Sequence, residues 1–464
     1  MTMTTRTIRR RRTTVAWLVA GALAGGVAVP LVDATAAFGP SGDVPASAVE
    51  GTHLPPLLTV VGESVELEYD VHCLPAGDMD GDRPCRAEGA VYLRPGDRGA
   101  FREIRLARAP DGRLTATVPR EISGSGTGFS YYAEVEDAGT GATTTLPSAG
   151  AAAPQRSYSL LRPVEVSLGA HQFGSTRTAD ARVVEARWGN GARDVGLEEG
   201  RDLTPIGGSS FQVAREGAVH LLDEANRRVL RWRPDATAPT SVPLPIRGTL
   251  ADLAVADDGS LTVLETTADP GEAPLLRVFG AGGELVGSTE IAERAAQVRL
   301  GPEGIPFVLQ HPSAQWMRVA DDDRHLLPPR AQQATGRPGR PVADGGEVIV
   351  LRRGDEVLVA RVDGRSVERA WRVTSETPLA EVQLAEPVGD RLVLVVRTYT
   401  DAHDEFLVLV LDERGLVDRF SVQPFDWAET APLSRFRLAA GSLYQLGSTP
   451  AGLFVDRFDL EVGR

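Results

Sequence analysis

The chain has 464 residues and a formal net charge of −14, and all 49 of its basic residues are arginine. A surface this acidic excludes non-specific nucleic-acid binding, which depends on neutralising phosphates, and it disfavours contact with an anionic membrane surface. The absence of lysine from the sequence excludes a lysine Schiff base and a lysine general base.

The first 36 residues have the pattern of an export signal. Five arginines within residues 6–12 precede an apolar run over residues 15–32. The small-x-small sequence Ala34-Thr35-Ala36 then predicts cleavage before Ala37. The alternative is an uncleaved anchor, because the run approaches the ~18–20 apolar residues that can span a bilayer, although Pro30 makes it a weak span. Membrane attachment is expected only through such an anchor.

The cysteine pair also suits an exported chain. Removal of the signal takes away five arginines and one aspartate and brings the net charge to −18. Cys73 and Cys85 are the only cysteines, and in an oxidising compartment we expect them to form a disulfide. A reactive thiol or a metal-binding pair is the alternative. The predicted location is therefore the cell envelope or the extracellular space.

Residues 37–54 are small and polar, and we expect a flexible leader there. Residues 55–162 contain seven short alternating runs divided by turn residues, which predict a β-sandwich. The runs cover residues 57–61, 64–71, 89–93, 101–106, 113–118, 129–135 and 142–146. The sequence GFSYYAEV at residues 128–135 resembles the late strand of immunoglobulin-like and fibronectin-type-III-like modules. That resemblance implies a tyrosine that closes a corner of the sandwich.

Residues 163–464 repeat a strand pattern every ~35–50 residues, as four-stranded propeller blades do, because one meander cannot bury both of its faces. Units begin near Ser209, Leu250, Ala296, Gly346, Glu381 and Ser434. The sequence predicts an all-β chain, with a small sandwich followed by a six-bladed propeller; seven blades are the alternative. We expect a strand before residue 209 to complete the last blade, and residues 193–198 are the candidate. Residues 347–350 are the expected inner strand of the fourth unit.

Residues 223–229, with the sequence DEANRRV, resemble the Asp-x-x-Asn-x-Arg-Val signature of the NHL repeat. The resemblance covers about residues 180–464 and implies that Asp223, Asn226 and Arg228 shape a hairpin. Some NHL-like enzymes hold a metal with side chains of their innermost strands. The inner strands expected here contain no histidine and few acids, which argues against a lyase or lactonase of that type.

Four residues on the expected loops between second and third strands form the candidate catalytic set: Glu265, His311, Asp401 and His403. A rim of carboxylates and imidazoles can bind a metal or perform acid–base chemistry. The alternative is that these loops are only solvated, because the sequence fixes no mutual geometry.

Asp78, Asp80 and Asp82 form the densest acidic loop in the sequence. Carboxylates at alternate positions can converge on a hard cation such as Ca²⁺, and a solvated acidic turn is the alternative. The helix-loop calcium signature fails, since its glycine belongs at the sixth position and Gly81 is fourth. We predict no other cofactor.

The expected function is binding or scaffolding, with a protein, peptide or glycan ligand docked on the propeller face. The alternative is a secreted hydrolase or lyase that acts at the channel mouth. The sequence has no Gly-x-Ser-x-Gly elbow, no phosphate-binding loop and no dinucleotide fingerprint, so it offers no sign of those chemistries.

Overall fold

The structure is a computed structural model. It describes residues 47–75, 86–200, 204–234, 236–245, 250–266, 273–291, 295–310, 315–333, 335–342, 345–430 and 434–460. The predicted signal peptide, Asp78, Asp80, Asp82, Cys85 and His311 lie outside the described residues. The expected fold class is confirmed: the chain is all-β, with a small sandwich followed by a propeller.

Two packed sheets form the sandwich. Its strands are β1 (Ser47–His53), β2 (Leu58–Val60), β3 (Glu66–Pro75), β4 (Ala87–Pro95), β5 (Arg102–Arg105), β6 (Ala107–Arg108), β7 (Leu114–Thr117), β8 (Phe129–Asp137), β9 (Thr143–Leu146) and β10 (Gln155–Leu160). One sheet has the order β1-β3-β7-β6, and the other has β2-β10-β8-β4-β5 with β9 beside β8. The alternation that predicted β8 places Phe129, Tyr131, Ala133 and Val135 in the core.

The start of the described chain corrects the predicted leader. Residues 47–53 pair antiparallel with β3 along their whole length. The His53 ring stacks on Tyr69 with 4.4 Å between centroids, and its Nδ1 donates to the Glu68 carbonyl. The Tyr131 hydroxyl donates to His53 Nε2 at 2.7 Å. Small polar residues suggested a mobile segment, but their pairing depends on a strand some twenty positions away in the sequence.

The propeller follows, with β11 (Val164–Ser167) and β12 (Ala181–Arg187) ahead of its blades. Six sheets occur in the described part of this region. Blade 1 contains β13 (Ser210–Val213), β14 (Val219–Asp223), β15 (Arg228–Trp232) and β16 (Thr240–Pro243); blade 2 contains β17 (Leu250–Val255), β18 (Leu261–Thr266), β19 (Leu275–Phe279) and β20 (Leu285–Glu290); blade 3 contains β21 (Ala295–Leu300), β22 (Pro306–Gln310) and β23 (Trp316–Arg318). Blade 4 contains β24 (Arg340–Pro341), β25 (Glu347–Arg353), β26 (Glu356–Asp363) and β27 (Ser366–Thr374); blade 5 contains β28 (Leu379–Val388), β29 (Arg391–Tyr399), β30 (Asp404–Asp412) and β31 (Gly415–Val422); blade 6 contains β32 (Phe436–Ala439), β33 (Ser442–Thr449) and β34 (Gly452–Asp459).

Blades pack face to face because their middle strands are apolar on both sides. In blade 1, Leu221 and Leu230 join a cluster with blade 6, whereas Leu222 and Val229 join a cluster with blade 2. Side chains of a strand alternate between faces, so each blade buries one face against each neighbour. The propeller has two ends, which we name by the loops that they contain. The loop face contains the hairpins between second and third strands and the connections between blades. The hairpin face is the opposite end.

The strand that completes blade 6 is not the predicted one. A strand from before residue 209 does complete the blade, but it is β12, which pairs antiparallel with β34, and not residues 193–198. The choice is fixed by side chains: Val184 and Ala186 are buried, and Arg182 bonds Asp456 through two nitrogens. Residues 189–196 instead lie across the loop face, where the backbone N–H of Gly196 donates to Asp223.

Residues 164–187 form a strap along the outer edges of blades 4, 5 and 6. β11 pairs parallel with β27, Thr176 forms a parallel bridge with Ser421, and β12 pairs with β34. One segment thus joins three consecutive blades that lie far from it in the sequence.

Blade 4 also differs from expectation at its centre. β24 stands at the inner end of the sheet, where Arg340 bonds the Ala385 carbonyl of blade 5. Residues 347–350, the predicted inner strand, belong to the second strand. β24 has only two residues, which is too short for an alternating pattern to show in the sequence.

The sandwich packs directly on blade 4. Leu58 and Leu160 of the sandwich are fully buried in a cluster with Ile349, Leu358 and Ala360 of blade 4. Ion pairs flank this apolar contact on both sides: Glu63 bonds Arg353 and Arg372, and Asp97 bonds Arg156 and Arg365. The interface therefore resembles an interior core, and the sandwich is a fixed part of the molecule.

Two short helices complete the described structure, α1 (Arg120–Ser123) between β7 and β8 and α2 (Pro329–Gln333) after β23. In the described residues, neither has the length or the apolar character to cross a bilayer.

Candidate functional site

The centre of the propeller is occupied by a buried ionic network, which we call the channel cluster (Ser210, Asp252, Arg299, Ser434 and Arg437). Asp252 Oδ1 accepts hydrogen bonds from Ser210 at 2.5 Å, Ser434 at 2.9 Å and Arg437 at 3.3 Å. Asp252 Oδ2 accepts from Arg299 at 2.7 Å and from the Val298 backbone N–H at 2.9 Å. One carboxylate on blade 2 thus bonds side chains from blades 1 and 3 and from the blade 6 end of the chain.

The charges of this cluster hold one another in their ionised states. Burial alone raises the pKa of Asp252, but Arg299 and Arg437 outweigh it and hold that pKa below its usual range. Burial, together with repulsion from Arg299, lowers the pKa of Arg437 to about 9. Arg340 and Glu386 form a further pair at 2.8 Å beside Arg437. The polar side chains of the channel cluster therefore form hydrogen bonds and ion pairs with one another, as expected of residues that stabilise the fold.

Asp223, Asn226 and Arg228 anchor a loop on the loop face. The Asp223 carboxylate accepts from Asn226 at 2.9 Å, from Arg228 at 2.8 Å and from Gly196 at 2.8 Å. Asn226 donates in turn to the Gly189 carbonyl. Short polar side chains at this hairpin thus bind backbone groups of the segment that follows β12.

The structure does not bring the described members of the predicted catalytic set together. Glu265 ends the second strand of blade 2, where its buried carboxylate accepts from Arg277 at 2.7 Å. Asp401 and His403 lie in the exposed hairpin of blade 5, on the opposite side of the ring. His403 stacks on Phe173 of the strap at 5.4 Å. His311 lies outside the described residues, so its position stays a prediction.

The predicted calcium ligands Asp78, Asp80 and Asp82 and the partner thiol Cys85 also lie outside the described residues, while Cys73 is on β3. The calcium site and the disulfide therefore remain predictions. Within the described residues, Asp321, Asp323 and His325 are the acids and histidine that approach one another within reach of a single ion. They form an exposed turn in which Asp321 accepts from two backbone N–H groups.

An exposed aromatic and charged patch lies on the loop face at the boundary of blades 5 and 6. We call it the recognition patch (Arg397, Tyr399, Asp404, Phe425 and Asp426). Tyr399 ends β29 with 44% of its surface exposed, and Phe425 follows β31 with 40% exposed. Arg397 donates to Asp404 and lies 3.8 Å from Asp426. Phe425 precedes Asp426 of this charged group, and Tyr399 ends the strand that holds Arg397.

Phe425 has a strained backbone. Its φ of 45° lies in the left-handed region, which a residue other than glycine adopts at a cost of about 1–3 kcal/mol. The carbonyl of Phe425 accepts from the Ser448 backbone N–H at 2.7 Å and from Arg435 at 3.2 Å. Its ring packs edge-on against Phe454 at 5.2 Å. The surrounding structure thus fixes an aromatic side chain in an outward position.

The floor below the recognition patch is formed by buried charged groups. Burial lowers the pKa of Arg435 and raises the pKa of Glu381, and both groups lie near Arg397. The loop that carries Phe425 is braced from the segment before blade 1, since the Glu429 backbone N–H donates to the Pro205 carbonyl at 2.7 Å. The patch therefore rests on buried side chains and on a loop that is tied to a second segment of the chain.

Sequence reasoning missed this patch. Residues 423–427 read QPFDW, and an aromatic pair around an aspartate in a loop between two strong strands was the available signal. Tyr399 ends a strand in which most other residues are buried, and no local pattern marks it as exposed. The proximity of Arg397 to Asp426 depends on how two blades meet, which no local pattern reports.

Comparison with known proteins assigns no family to the chain. No protein-family model matches the chain, and no curated protein matches its sequence. Among solved structures, virginiamycin B lyase from Staphylococcus aureus is 10% identical with a TM-score of 0.34, covering 54% of this chain and 94% of that one. The calcium-binding protein regucalcin from Agrobacterium tumefaciens is 13% identical with a TM-score of 0.35, covering 64% and 97%. A glucose dehydrogenase is 12% identical with a TM-score of 0.31, covering 55% and 96%. The propeller assignment rests on the sheet order described above.

Proposed function

We propose that this chain is an exported binding protein whose recognition patch docks a segment of a partner protein. The observation that carries the proposal is Phe425, an exposed aromatic residue with a positive φ that contacts Arg435, Ser448 and Phe454. Backbone strain persists only where the rest of the structure enforces it, and it concentrates at sites of recognition and catalysis. A phenylalanine displayed in this way suits an anchor that enters a pocket on a partner.

The other members of the patch support protein recognition. Tyrosine, tryptophan and arginine contribute most of the binding energy at protein interfaces. Trp427 lies half-buried beside the patch, and its ring is 5.9 Å from that of Trp188. The patch offers rigid rings that lose little conformational entropy on binding.

The charge of the patch selects the partner. One arginine faces two aspartates in the recognition patch, and the neighbouring Asp401 is exposed. The chain as a whole has a net charge of −14. We therefore propose that the partner segment is basic and apolar, since complementary charge accelerates encounter and apolar contact supplies affinity.

The finer assignments belong to the same proposal. The Asp223 hairpin geometry supports an NHL-like propeller, and the sequence at residues 128–135 supports an immunoglobulin-like sandwich. Export rests on the basic and apolar pattern of residues 1–36. Sequencing the N-terminus of the protein recovered outside the cytoplasm tests it: a start at Ala37 supports cleavage, an intact Met1 in a membrane fraction supports the anchor, and a cytoplasmic protein refutes export.

Binding is tested by selection from a random peptide library displayed on phage. Peptides enriched on the purified protein are expected to be rich in basic and apolar residues. Their binding should be lost with Phe425→Ala and Tyr399→Ala and retained with Leu416→Ala, which removes an equally exposed apolar residue from the hairpin face. Peptides that bind Phe425→Ala and Tyr399→Ala as tightly as the unmodified protein would overturn the proposal, as would the absence of any enrichment.

A further inference from the structure

A basic cleft lies at the hairpin face between blades 4 and 5, away from the recognition patch. It has a volume of about 140 Å³. Its lining combines three arginines with two acids and an apolar floor: Arg361, Arg369, Arg391, Glu368, Asp390 and Trp371. On a chain with a net charge of −14, a lining in which three guanidinium groups outnumber two carboxylates is locally more basic than the rest of the protein.

Arg369 is held in place by contacts that use only part of its hydrogen-bonding capacity, and Arg361 is held by an acid of the same cleft. Arg361 Nε donates to Glu368 at 3.0 Å. Arg369 donates to the Asp390 backbone carbonyl, and its other terminal nitrogen lies 3.8 Å from Glu413. A guanidinium carries five N–H donors, so a carbonyl contact and a distant carboxylate leave Arg369 able to bond a ligand. The Arg369 side chain is partly exposed, so solvent reaches it.

The floor of the cleft is rigid and apolar. Trp371 is almost fully buried, and its indole N–H donates to the Asp412 carbonyl at 2.8 Å. Leu392, also buried, completes the floor. The Arg369 guanidinium lies 6.0 Å from the centre of the Trp371 ring. A ligand that enters would therefore meet cationic donors at the rim and apolar surface below, the arrangement expected of a small-molecule site.

We infer that this cleft binds a small organic anion, a carboxylate or phosphate group attached to a compact apolar body. Planar guanidinium groups match carboxylate and phosphate oxygens with paired hydrogen bonds. Glu368 and Asp390 offset part of the positive charge of the arginines, so the three guanidinium groups, and not the acids, favour an anionic ligand. The inference is independent of the proposed function, because the cleft and the recognition patch are at opposite ends of the propeller.

Isothermal titration of the purified protein with inorganic phosphate, phenyl phosphate, benzoate and benzyl alcohol tests the inference. We expect saturable binding of phenyl phosphate or benzoate, weaker binding of inorganic phosphate and none of benzyl alcohol. Tighter binding of phenyl phosphate than of benzoate, or the reverse, identifies the anionic group that the cleft prefers. Arg369→Gln should weaken binding about ten-fold or more, since it removes a charge-assisted hydrogen bond to the anion.

Arg187→Gln is the matched control, because it removes the same charge from an exposed position on blade 6. Its affinity should equal that of the unmodified protein. The inference fails if none of the anions binds saturably to the unmodified protein. It also fails if Arg187→Gln weakens binding as much as Arg369→Gln, which would show a response to net charge alone.

Discussion

Asp252 and Arg437 meet at the centre of the propeller, with the Asp252 carboxylate 3.3 Å from a guanidinium nitrogen and both side chains almost fully buried. They belong to blades 2 and 6 and are 185 positions apart in the sequence. Arg299 of blade 3 bonds the same carboxylate at 2.7 Å. Correct closure of the ring is therefore a condition for neutralising these buried charges.

Replacement of Asp252 by asparagine is expected to lower the free energy of unfolding by about 3–5 kcal/mol. The change leaves Arg299 and Arg437 buried without their shared counter-charge, and an uncompensated buried charge carries a penalty of that size. Urea unfolding followed by circular dichroism measures the effect. Asp322→Asn, at a highly exposed side chain, should change the value by less than about 1 kcal/mol. Equal effects of the two substitutions would contradict the role of the channel cluster.

His53 predicts a loss of stability in mild acid. Burial lowers the pKa of His53 to about 4, against 6.5 for the unperturbed side chain. The folded state thus favours the neutral ring, so this stability is complete above pH 6.5 and is lost as the pH falls towards 4. The loss amounts to as much as about 3 kcal/mol. We expect the difference in unfolding free energy between pH 7 and pH 4.5 to shrink by most of that amount in His53→Asn. The exposed His325→Asn serves as control, and an unchanged difference in His53→Asn would refute the prediction.

Glu224 predicts the opposite slope. It is buried near Glu198, and burial together with that neighbour raises the pKa of Glu224 to about 7 from 4.5. The folded state favours the protonated carboxyl, so its stability is complete below pH 4.5 and is lost as the pH rises through 7. Glu224→Gln, which mimics the protonated form, is expected to be more stable than the unmodified protein by about 3 kcal/mol at pH 8 and no more stable at pH 4. A gain of equal size at both pH values, or the same behaviour in the exposed Glu199→Gln, would contradict this explanation.

The contact between sandwich and propeller predicts coupled unfolding. All the tryptophans outside the predicted signal lie in the propeller region, so their fluorescence reports that unit alone. Leu58 of the sandwich is fully buried against blade 4, and Leu58→Ala is expected to cost about 2–5 kcal/mol. The midpoint detected by tryptophan fluorescence should fall with it. Leu54→Ala, at an exposed side chain, should leave that midpoint unchanged. A sandwich that unfolds separately, with the fluorescence midpoint of Leu58→Ala unaltered, would show that the interface does not couple the units.

Much of the fold follows from local pattern. Alternation located the sandwich strands because one side of each strand faces a core, as the residues of β8 show. The strand that closes the ring by completing blade 6 could not be identified from local sequence pattern. Residues 181–188 and 193–198 both read as short strands, and the pairing of Arg182 with Asp456 across the whole propeller decides between them. β1 and β24 were missed for the same reason, since their partners are remote in sequence or their length is too short to show a period.

The site was harder to predict than the fold. The predicted set joined Glu265 to Asp401 and His403 because all occupy equivalent loops, but equivalence in a repeat places residues on different blades of the ring. Asp252 was one acid in an apolar strand, and its five hydrogen bonds come from groups up to 185 positions away. The hairpin role of Asp223 was accessible because its partners Asn226 and Arg228 are local.

The central claim is that Phe425 and Tyr399 dock a basic, apolar segment on the loop face. Its most direct test is the dissociation constant of a library-selected peptide for the unmodified protein and for Phe425→Ala, Tyr399→Ala and Leu416→Ala. A tightly packed aromatic anchor contributes about 2 kcal/mol or more, so each of the first two changes should weaken binding about thirty-fold, with no effect of the third. Equal dissociation constants for all four proteins would contradict the claim.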